Sequence, residues 1–222
     1  MHCLEVHLFM NLQTEKELVE QAKHDPHAFG KLYDVYYPKI SQYIFRRIGN
    51  IQESQDITSE VFYKVMKGLR NFEWRNISFS SWVYKIATNE ITNHYRQKKH
   101  TFLSLDFLFE KHHFELPDKT NIEQDFIAVE KTLADHQNFL FIQQLLQELP
   151  LNYQEILSLR FFEKKKIQEI SEITGKNTNT IKSLISRGIQ KLQVAFQNKK
   201  GGTYSTYLQP FRKNGVIKNK RK

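Results

Sequence analysis

A polar stretch near the C-terminal end of the sequence contains no acidic residue between Thr174 and Lys191. It combines amides, hydroxyls and cations, the group types that pair with base edges and phosphates in DNA. Each good bidentate contact to a base would discriminate against a wrong base by about 1–3 kcal/mol. The candidate DNA-contacting residues are Asn177, Thr178, Asn179, Lys182, Ser183, Ser186 and Arg187.

Two short helices joined by a turn would present these side chains on one surface. Gly175 stands where a turn needs an unhindered backbone, and Thr178 is predicted to cap the second helix with its hydroxyl. The pattern predicts a helix-turn-helix, whose second helix enters the major groove. A helical hairpin with a solvated outer face is the alternative. The apolar stripes are Ile167, Ile170 and Ile173 in the first helix and Ile181, Ile185 and Leu192 in the second.

A second polar face lies within residues 79–99, where an apolar stripe containing Phe79, Trp82 and Ile86 predicts a helix packed on a core. A helix face that meets only water usually carries Glu and Lys pairs. This face is rich in amides and hydroxyls instead, and its composition favours contact with a ligand. Its members are Lys85, Thr88, Asn89, Thr92, Asn93 and Arg96.

Composition limits the classes of protein to consider. The net charge of +9 is uneven: residues 199–222 contribute +8, whereas residues 101–137 contribute −5. Any DNA surface must therefore be local. The single cysteine, Cys3, cannot form an internal disulfide, and Met10 is an alternative start. Without a secretory signal or long apolar run we expect a cytoplasmic protein, and without phosphate-binding, nucleophile or zinc motifs we expect no enzymatic activity, metal or cofactor.

Helical periodicity predicts an all-α fold of two small helical domains joined by a flexible linker. Asp25 and Pro26 are typical of a helix start, and Pro150 is predicted to end a helix. A helix is also expected to start at Thr14. A further helix is predicted within residues 51–72, and its buried stripe would consist of Ile57, Val61, Phe62, Val65 and Leu69. The predicted organisation is a loose N-terminus over 1–13, a first domain over 14–99, a linker over 100–124, a second domain over 125–198 and a basic disordered tail over 199–222.

Both helical blocks resemble the sigma-70 superfamily of bacterial RNA polymerase sigma factors, in the extracytoplasmic-function subgroup. Residues 28–97 resemble region 2, with "QDITSEVFYKVMKGLRNF" and "FSSWVYKIATNEITNHYRQKK". Residues 145–192 resemble region 4, with "LLQELPLNYQEILSLRFFE" before the helix-turn-helix. Four residues depart from the family pattern. Lys164 stands where the family often has a glycine, and Lys165 where it often has an apolar residue. Lys176 replaces an apolar turn residue, and Leu184 replaces a basic residue.

The resemblance implies binding to core RNA polymerase and to promoter DNA. The polymerase-docking residues would be Asp56, Glu60, Val61 and Phe62. The alternative is that Val61 and Phe62 belong to the core and the two acids are solvated; Phe62 fits the core and the interface equally well, whereas the acids favour the partner. The minus-ten element would be read by a pocket of aromatic and polar residues and by the helix that follows it. Trp82 is expected to lie in the core, and the sequence does not decide whether Tyr95 belongs to the core or to the DNA surface. The minus-ten residues would be Trp74, Arg75, Asn76 and Ser80 in the pocket and Lys85, Asn89, Asn93 and Arg96 on the helix.

The linker length agrees with two separate DNA sites. The two promoter elements lie about 25 base pairs, or about 80 Å, apart, and an extended linker over 100–124 also reaches about 80 Å. Its acidic excess would imitate RNA in the polymerase or only keep the chain soluble. The basic tail would contact DNA, polymerase or anionic lipid, or only aid solubility. The free chain is expected to be a monomer and a possible target of an anti-sigma factor.

Two other functions are compatible with the sequence. A helix-turn-helix regulator without sigma activity would bind palindromic DNA as a dimer. A degenerate sigma-like factor would bind polymerase or a regulator without starting transcription. Copurification with core polymerase and specific transcription separate these two functions from that of a sigma factor.

Overall fold

The computed structural model describes residues 12–74, 77–105 and 141–200, and within these ranges the chain is helical and has no strand. The helices of the first domain are α1 (Leu12–Ala22), α2 (Pro26–Ile48), α3 (Ile51–Leu69) and α4 (Phe79–Leu105). Those of the second are α5 (141–147), α6 (Leu151–Leu157, continued by a π-helical turn over Ser158–Phe162), α7 (Ile167–Thr174) and α8 (Thr178–Lys200).

Local capping sets the start and end of α2. The Asp25 carboxylate accepts a hydrogen bond from the His27 amide at 2.9 Å, and Pro26 occupies the first turn, as predicted. The helix ends at Gly49, whose φ of 76° suits a residue without a side chain. Asn50 then caps α3 by accepting from the Glu53 amide at 2.9 Å. The helix end at Gly49 and the helix start at Asn50 together reverse the direction of the chain, so that α3 packs against α2.

Helices α2, α3 and α4 share the core of the first domain. Ile40, Val61, Val83 and Ile91 are completely buried. Phe79, at the first position of α4, is 1% exposed and contacts the rings of Tyr36, Phe72 and Trp82. The predicted apolar stripes of α3 and α4 therefore form this core. The buried members of the α3 stripe are Ile57, Val61, Phe62, Val65 and Leu69.

A helix-turn-helix forms the end of the second domain, as predicted. Gly175 has a φ of 70°, and its amide donates to the Ser171 carbonyl at 2.8 Å, which closes α7. Pro150 separates α5 from α6, and the Gln154 side-chain amide donates to the Leu149 carbonyl beside it at 2.7 Å. The predicted stripes pack inward: Ile170, Ile173, Ile181, Ile185 and Leu192 are buried, whereas Ile167 packs against the core from a partly exposed position.

Several predicted boundaries differ from those of the described helices. Helix α1 begins at Leu12, two residues before Thr14, and α4 continues to Leu105, so the predicted linker starts inside a helix. The rest of the predicted linker and the first part of the second domain, over 106–140, lie outside the described residues. So do residues 1–11, with Cys3 and Met10, and the tail from 201 onward. None of the described helices has the length and apolar character needed to cross a membrane.

The two domains pack directly on each other. Helix α7 lies against α4, and the π-helical turn contacts α2. The Gln143 side chain of α5 donates to the Phe45 carbonyl, near the end of α2, at 3.0 Å. From the sequence the two blocks were expected to be separate readers of DNA, and no such contact was predicted.

Candidate nucleic-acid interface

The first turns of α8 present the predicted polar surface to solvent. Ile181, Leu184, Ile185 and Ile189 are buried and fix the inner side of the helix. Because the polar residues alternate with these at helical spacing, they point away from the domain. Six of the predicted residues are exposed and Thr178 is half-buried; the exposed ones are Asn177, Asn179, Lys182, Ser183, Ser186 and Arg187.

The cap of α8 differs from the prediction. The Asn177 side-chain oxygen accepts a hydrogen bond from the Thr180 amide at 2.7 Å, so Asn177 and not Thr178 caps the helix. Thr178 is the first residue of α8. An asparagine and a threonine are both good caps, and the deciding factor is the point at which the backbone becomes helical after Gly175.

The residues that depart from the family pattern have structural roles in this chain. Leu184 is 8% exposed and belongs to the core. Lys176 forms an ion pair with Glu155 of α6 at 2.8 Å, which ties the turn to the domain. Lys164 adopts a φ of 53°, in the left-handed region that glycine favours, although its side chain makes that conformation costly. The backbone therefore keeps a glycine-like conformation at a position where the family often has glycine.

On α4 the predicted DNA face is mostly accessible. Lys85, Asn89 and Arg96 are exposed, and Asn93 is half-buried. Thr88, which the helical pattern placed on the same polar face, is 4% exposed, and its hydroxyl lies 3.0 Å from the Tyr43 hydroxyl. That placement was wrong, because a buried tyrosine from α2 needs a polar partner on this side of α4.

The described part of the predicted minus-ten pocket is already occupied by protein groups. The half-buried Trp74 meets Phe72 edge-on at 5.4 Å, and the Lys16 ammonium lies 5.5 Å from the centre of its ring. The Ser80 hydroxyl lies 2.6 Å from the Lys165 ammonium, which donates to it. Arg75 and Asn76 lie outside the described residues.

Two neighbouring aromatic residues have structural roles. Trp82 packs against the core beside Phe72, with ring centres 4.9 Å apart, as predicted. Tyr95, which the sequence left undecided, donates its hydroxyl hydrogen to the Arg47 carbonyl at 2.5 Å. That bond ties α4 to α2.

The predicted polymerase-docking residues divide into two groups. Asp56 and Glu60 lie on α3, and Glu60 is exposed and paired to Lys64 at 3.2 Å. Val61 is completely buried and Phe62 is 6% exposed, so both side chains are used in the core, which is the alternative that the sequence left open for these two residues. Sequence reasoning missed the exposed apolar neighbours of the acids. Tyr63 and Met66, on the same helix, are 46% and 51% exposed.

A charged cluster joins the two domains, and we call it the interdomain cluster. Glu163, just after the π-helical turn, accepts from Arg46 of α2 at 2.8 Å and from the Tyr84 hydroxyl of α4 at 2.5 Å. Lys165 bonds Ser80, and its ammonium lies 4.6 Å from the centre of the Tyr84 ring. Burial raises the pKa of Glu163 and lowers the pKa of Lys165. Burial also raises the pKa of Tyr84, so its hydroxyl keeps its proton.

Only Ser80 and Lys165 of this cluster stand out in the sequence. Lys165 does so because a lysine replaces the apolar residue that the family usually has at this position. Arg46, Tyr84 and Glu163 come from three different helical segments, and nothing in the spacing of one segment shows that the others lie beside it.

Comparison with known proteins matches both domains to families. Residues 32–101 match the model of Sigma-70 region 2, and residues 142–192 match that of Sigma-70, region 4. The chain is 29% identical over 185 residues to the ECF RNA polymerase sigma factor SigW of Bacillus subtilis, covering 83% of this chain and 97% of SigW. It is 31% identical to the RNA polymerase sigma factor SigV of the same organism, covering 68% of this chain and 80% of SigV.

A solved structure has the same fold. The complex of the sigma factor RpoE with the anti-sigma factor NepR from Bartonella quintana matches with a TM-score of 0.59 and 17% identity. The match covers 78% of this chain and 98% of that one.

Together the fold and these surfaces define a two-domain helical protein of transcription initiation, with a helix-turn-helix at its C-terminal end. The chain belongs to the sigma-70 family of RNA polymerase sigma factors, in the ECF subgroup. It is therefore a DNA-binding factor that directs core RNA polymerase to promoters. A regulator that uses the helix-turn-helix alone is not favoured, because region 2 is present as well.

Proposed function

We propose that this sigma factor divides promoter recognition between two helix faces, with α4 and its preceding loop at the minus-ten element and α8 at the minus-thirty-five element. The observation that supports the proposal is the exposure of both polar faces on a scaffold whose apolar stripes are buried. The protein would act without catalysis of its own, in the cytoplasm where the polymerase works.

Docking on core polymerase would use the outer face of α3. Asp56, Glu60 and Tyr63 lie at spacings of four and three residues and therefore share one side of the helix. Met66 extends this surface. Carboxylates beside exposed apolar side chains suit a partner helix that offers basic and apolar groups, since the apolar centre excludes water around the ion pairs.

Recognition of the minus-ten element would begin with bases that have left the DNA stack. A protein holds such bases by stacking, by hydrogen bonds to their edges and by cations along the backbone. Trp74 and Ser80, with Arg75 and Asn76, would form the pocket. Lys85, Asn89, Asn93 and Arg96 would follow the strand or the upstream duplex along α4.

Recognition of the minus-thirty-five element would use the N-terminal turns of α8 in the major groove. Lys182 and Arg187 supply cations, and Asn179, Ser183 and Ser186 supply groups that read base edges or phosphates. Asn177 has its side-chain oxygen committed to the helix cap, which leaves its amide hydrogens for a contact with DNA.

An anti-sigma factor is a further proposed partner. The RpoE structure with the same fold was solved with the anti-sigma factor NepR. Such a partner would compete for the same helix faces that meet polymerase and DNA.

The proposal is tested by reconstitution with purified core polymerase. The protein should copurify with core and start transcription at a specific site on a linear template. Replacing both acids of α3 (Asp56→Ala with Glu60→Ala) should weaken core binding, and unchanged affinity would remove α3 from the docking surface. A matched control, Glu20→Ala, removes an exposed acid from α1 and should bind core normally. Stable specific DNA binding by the free protein, with no effect of core, would favour a regulator instead.

A further inference from the structure

We propose that Lys164 is a further DNA contact of the second domain, which binds a backbone phosphate beside the minus-thirty-five element. The inference rests on the proposed function, because it concerns the DNA duplex that α8 would approach. Lys164 lies in the loop between the π-helical turn and α7. Its expected contribution is to affinity and not to the reading of the base sequence, since phosphates carry no direct sequence information.

The backbone at Lys164 is strained. Its φ of 53° lies in the left-handed region, and within the described ranges Lys164 is the one residue other than glycine with a positive φ. Gly49 and Gly175 occupy the other two such positions of these ranges. A side chain makes this conformation costly, whereas glycine adopts it freely. Strained residues of this kind cluster at functional sites, so the lysine calls for a role.

Contacts within the fold do not account for the lysine. Lys164 is exposed, and its side chain forms no hydrogen bond or ion pair with another described residue. Its neighbours differ, because Glu163 accepts from Arg46 at 2.8 Å and Lys165 donates to Ser80 at 2.6 Å. The strain at Lys164 is therefore not offset by a contact within the described part of the chain, and its ammonium is available to a ligand.

The position of the loop favours DNA as that ligand. When a helix-turn-helix docks, its second helix enters the major groove and its first helix crosses the phosphate backbone. Here α7 is the first helix, and the loop with Lys164 leads directly into it. Lys166, the residue before α7, is exposed as well. A cation in this loop would therefore lie close to the phosphates that flank the groove entered by α8.

The charges around Lys164 agree with a phosphate ligand. The neighbouring acids are already used: the Glu163 side chain is 7% exposed, and the Glu169 carboxylate accepts from the Lys166 amide at 2.7 Å. The exposed charges of the loop, those of Lys164 and Lys166, are both positive. Lysine binds phosphate as a point charge on a flexible stem, which suits a backbone contact without base reading.

The same loop is a poor match for a protein partner. Apolar side chains form the buried centre of protein interfaces. None of the large apolar residues that are exposed in the described ranges lies in this loop, in α7 or in the first turns of α8. They are Tyr33, Tyr63, Met66, Leu151 and Val194. An exposed cation without apolar neighbours fits the phosphate backbone better than it fits a site on the polymerase.

The salt dependence of promoter binding tests the phosphate contact. Holoenzyme assembled from core polymerase and the full chain is bound to a duplex that carries the promoter mapped by the transcription assay. Each phosphate contact contributes about 0.9 to the slope of log affinity against log salt concentration. Lys164→Ala should therefore reduce the slope by about 0.9 and lower the affinity at about 0.15 M salt by about fivefold. Affinity for core polymerase should stay the same.

A change to glycine separates the charge from the strain. Lys164→Gly removes the charge and also relieves the backbone, so it should weaken promoter binding as Lys164→Ala does and raise the midpoint of urea unfolding. Circular dichroism of the full chain follows the unfolding. Lys164→Arg keeps both the charge and the strain and should keep the parent slope and midpoint. A gain in stability joined to a loss of promoter binding does not arise from a merely structural role.

Lys191→Ala is the matched control, because it removes an exposed cation from a later turn of α8. It should leave the salt slope unchanged. The proposal would be overturned by an unchanged slope with Lys164→Ala, by an equal reduction with Lys191→Ala, or by an unchanged unfolding midpoint with Lys164→Gly. Loss of core affinity with Lys164→Ala would also overturn it, since Lys164 would then contact the polymerase.

Transcription with core polymerase separates this proposal from the proposed function. Specific transcription by the parent chain, with the same salt slope in Lys164→Ala, would overturn the phosphate contact alone. A chain that binds core polymerase but never starts specific transcription would contradict the proposed function and the phosphate contact together.

Discussion

The predicted DNA faces of α4 and α8 differ in how far their side chains are already engaged in contacts with other parts of the protein. On α8 the cationic and hydroxyl groups of the first turns are exposed, and the helix is capped within its own turn by Asn177. Around the start of α4, Trp74 and Ser80 already contact Lys16 and Lys165. The proposed minus-thirty-five face is therefore formed in the free protein, whereas the proposed minus-ten pocket would have to rearrange. The difference suits the proposed tasks, because one face would meet duplex DNA and the other would meet bases exposed only after melting.

Phe79→Ala should have the largest effect, which is to destabilise the first domain. Phe79 is 1% exposed among three aromatic rings, and Phe→Ala changes in a core cost about 3–5 kcal/mol. Both tryptophans of the chain lie in this domain, so their fluorescence during urea unfolding reports on it. As a control, Tyr63→Ala on the surface should change stability by less than about 0.5 kcal/mol. Similar midpoints for the two variants would contradict the packing described for Phe79.

Arg187→Ala should weaken the reading of the minus-thirty-five element by about 1–3 kcal/mol if the side chain contacts a base edge. The measurement is the ratio of transcription from a promoter with an intact element to that from one with a scrambled element. Core binding should remain normal. Lys191→Ala removes the same charge from a later turn of α8 and should leave the ratio unchanged. Equal loss in both variants would indicate a general charge effect.

Asn177→Ala should destabilise the second domain by about 1 kcal/mol, since it removes the cap that bonds the Thr180 amide. Thermal unfolding followed by circular dichroism measures the change. Asn177→Asp retains an acceptor and should stay close to the parent protein. Thr178→Ala should also have little effect. If Thr178→Ala lowered the stability more than Asn177→Ala, Thr178 would be the cap of α8, as the sequence predicted.

Lys16→Ala should have the smallest effect, because Lys16 is only half-buried and a cation over an aromatic ring at a site that water still reaches contributes about 0.5–1 kcal/mol. In a Trp82→Phe background Trp74 is the only tryptophan. Its quenching by acrylamide should increase when Lys16 is shortened, and Lys23→Ala, just after the same helix, should not increase it. Unchanged quenching with Lys16→Ala would show that α1 does not cover the Trp74 ring in solution.

Sequence reasoning predicted features that depend on neighbouring residues more accurately than features that depend on packing. The Asp25 cap, the Gly175 turn and the apolar stripe of α3 follow from local spacing, and the structure confirms them. Thr88 was misplaced because helical spacing does not reveal that Tyr43 of another helix needs a partner. The Glu163 site could not be predicted, since its partners come from α2 and α4. The residue-level assignments to polymerase and DNA remain predictions.

The π-helical turn over Ser158–Phe162 controls where Glu163 points. The Glu163 amide donates to the Ser158 carbonyl at 3.1 Å, a bond that spans one residue more than an α-helical bond. Deleting one residue here would return the chain to α-helical winding and rotate the residues after the deletion by about 100°. Glu163 would then turn away from Arg46. During evolution, a single codon gained or lost at this point could add or remove contact between the domains while every residue facing polymerase or DNA stayed the same.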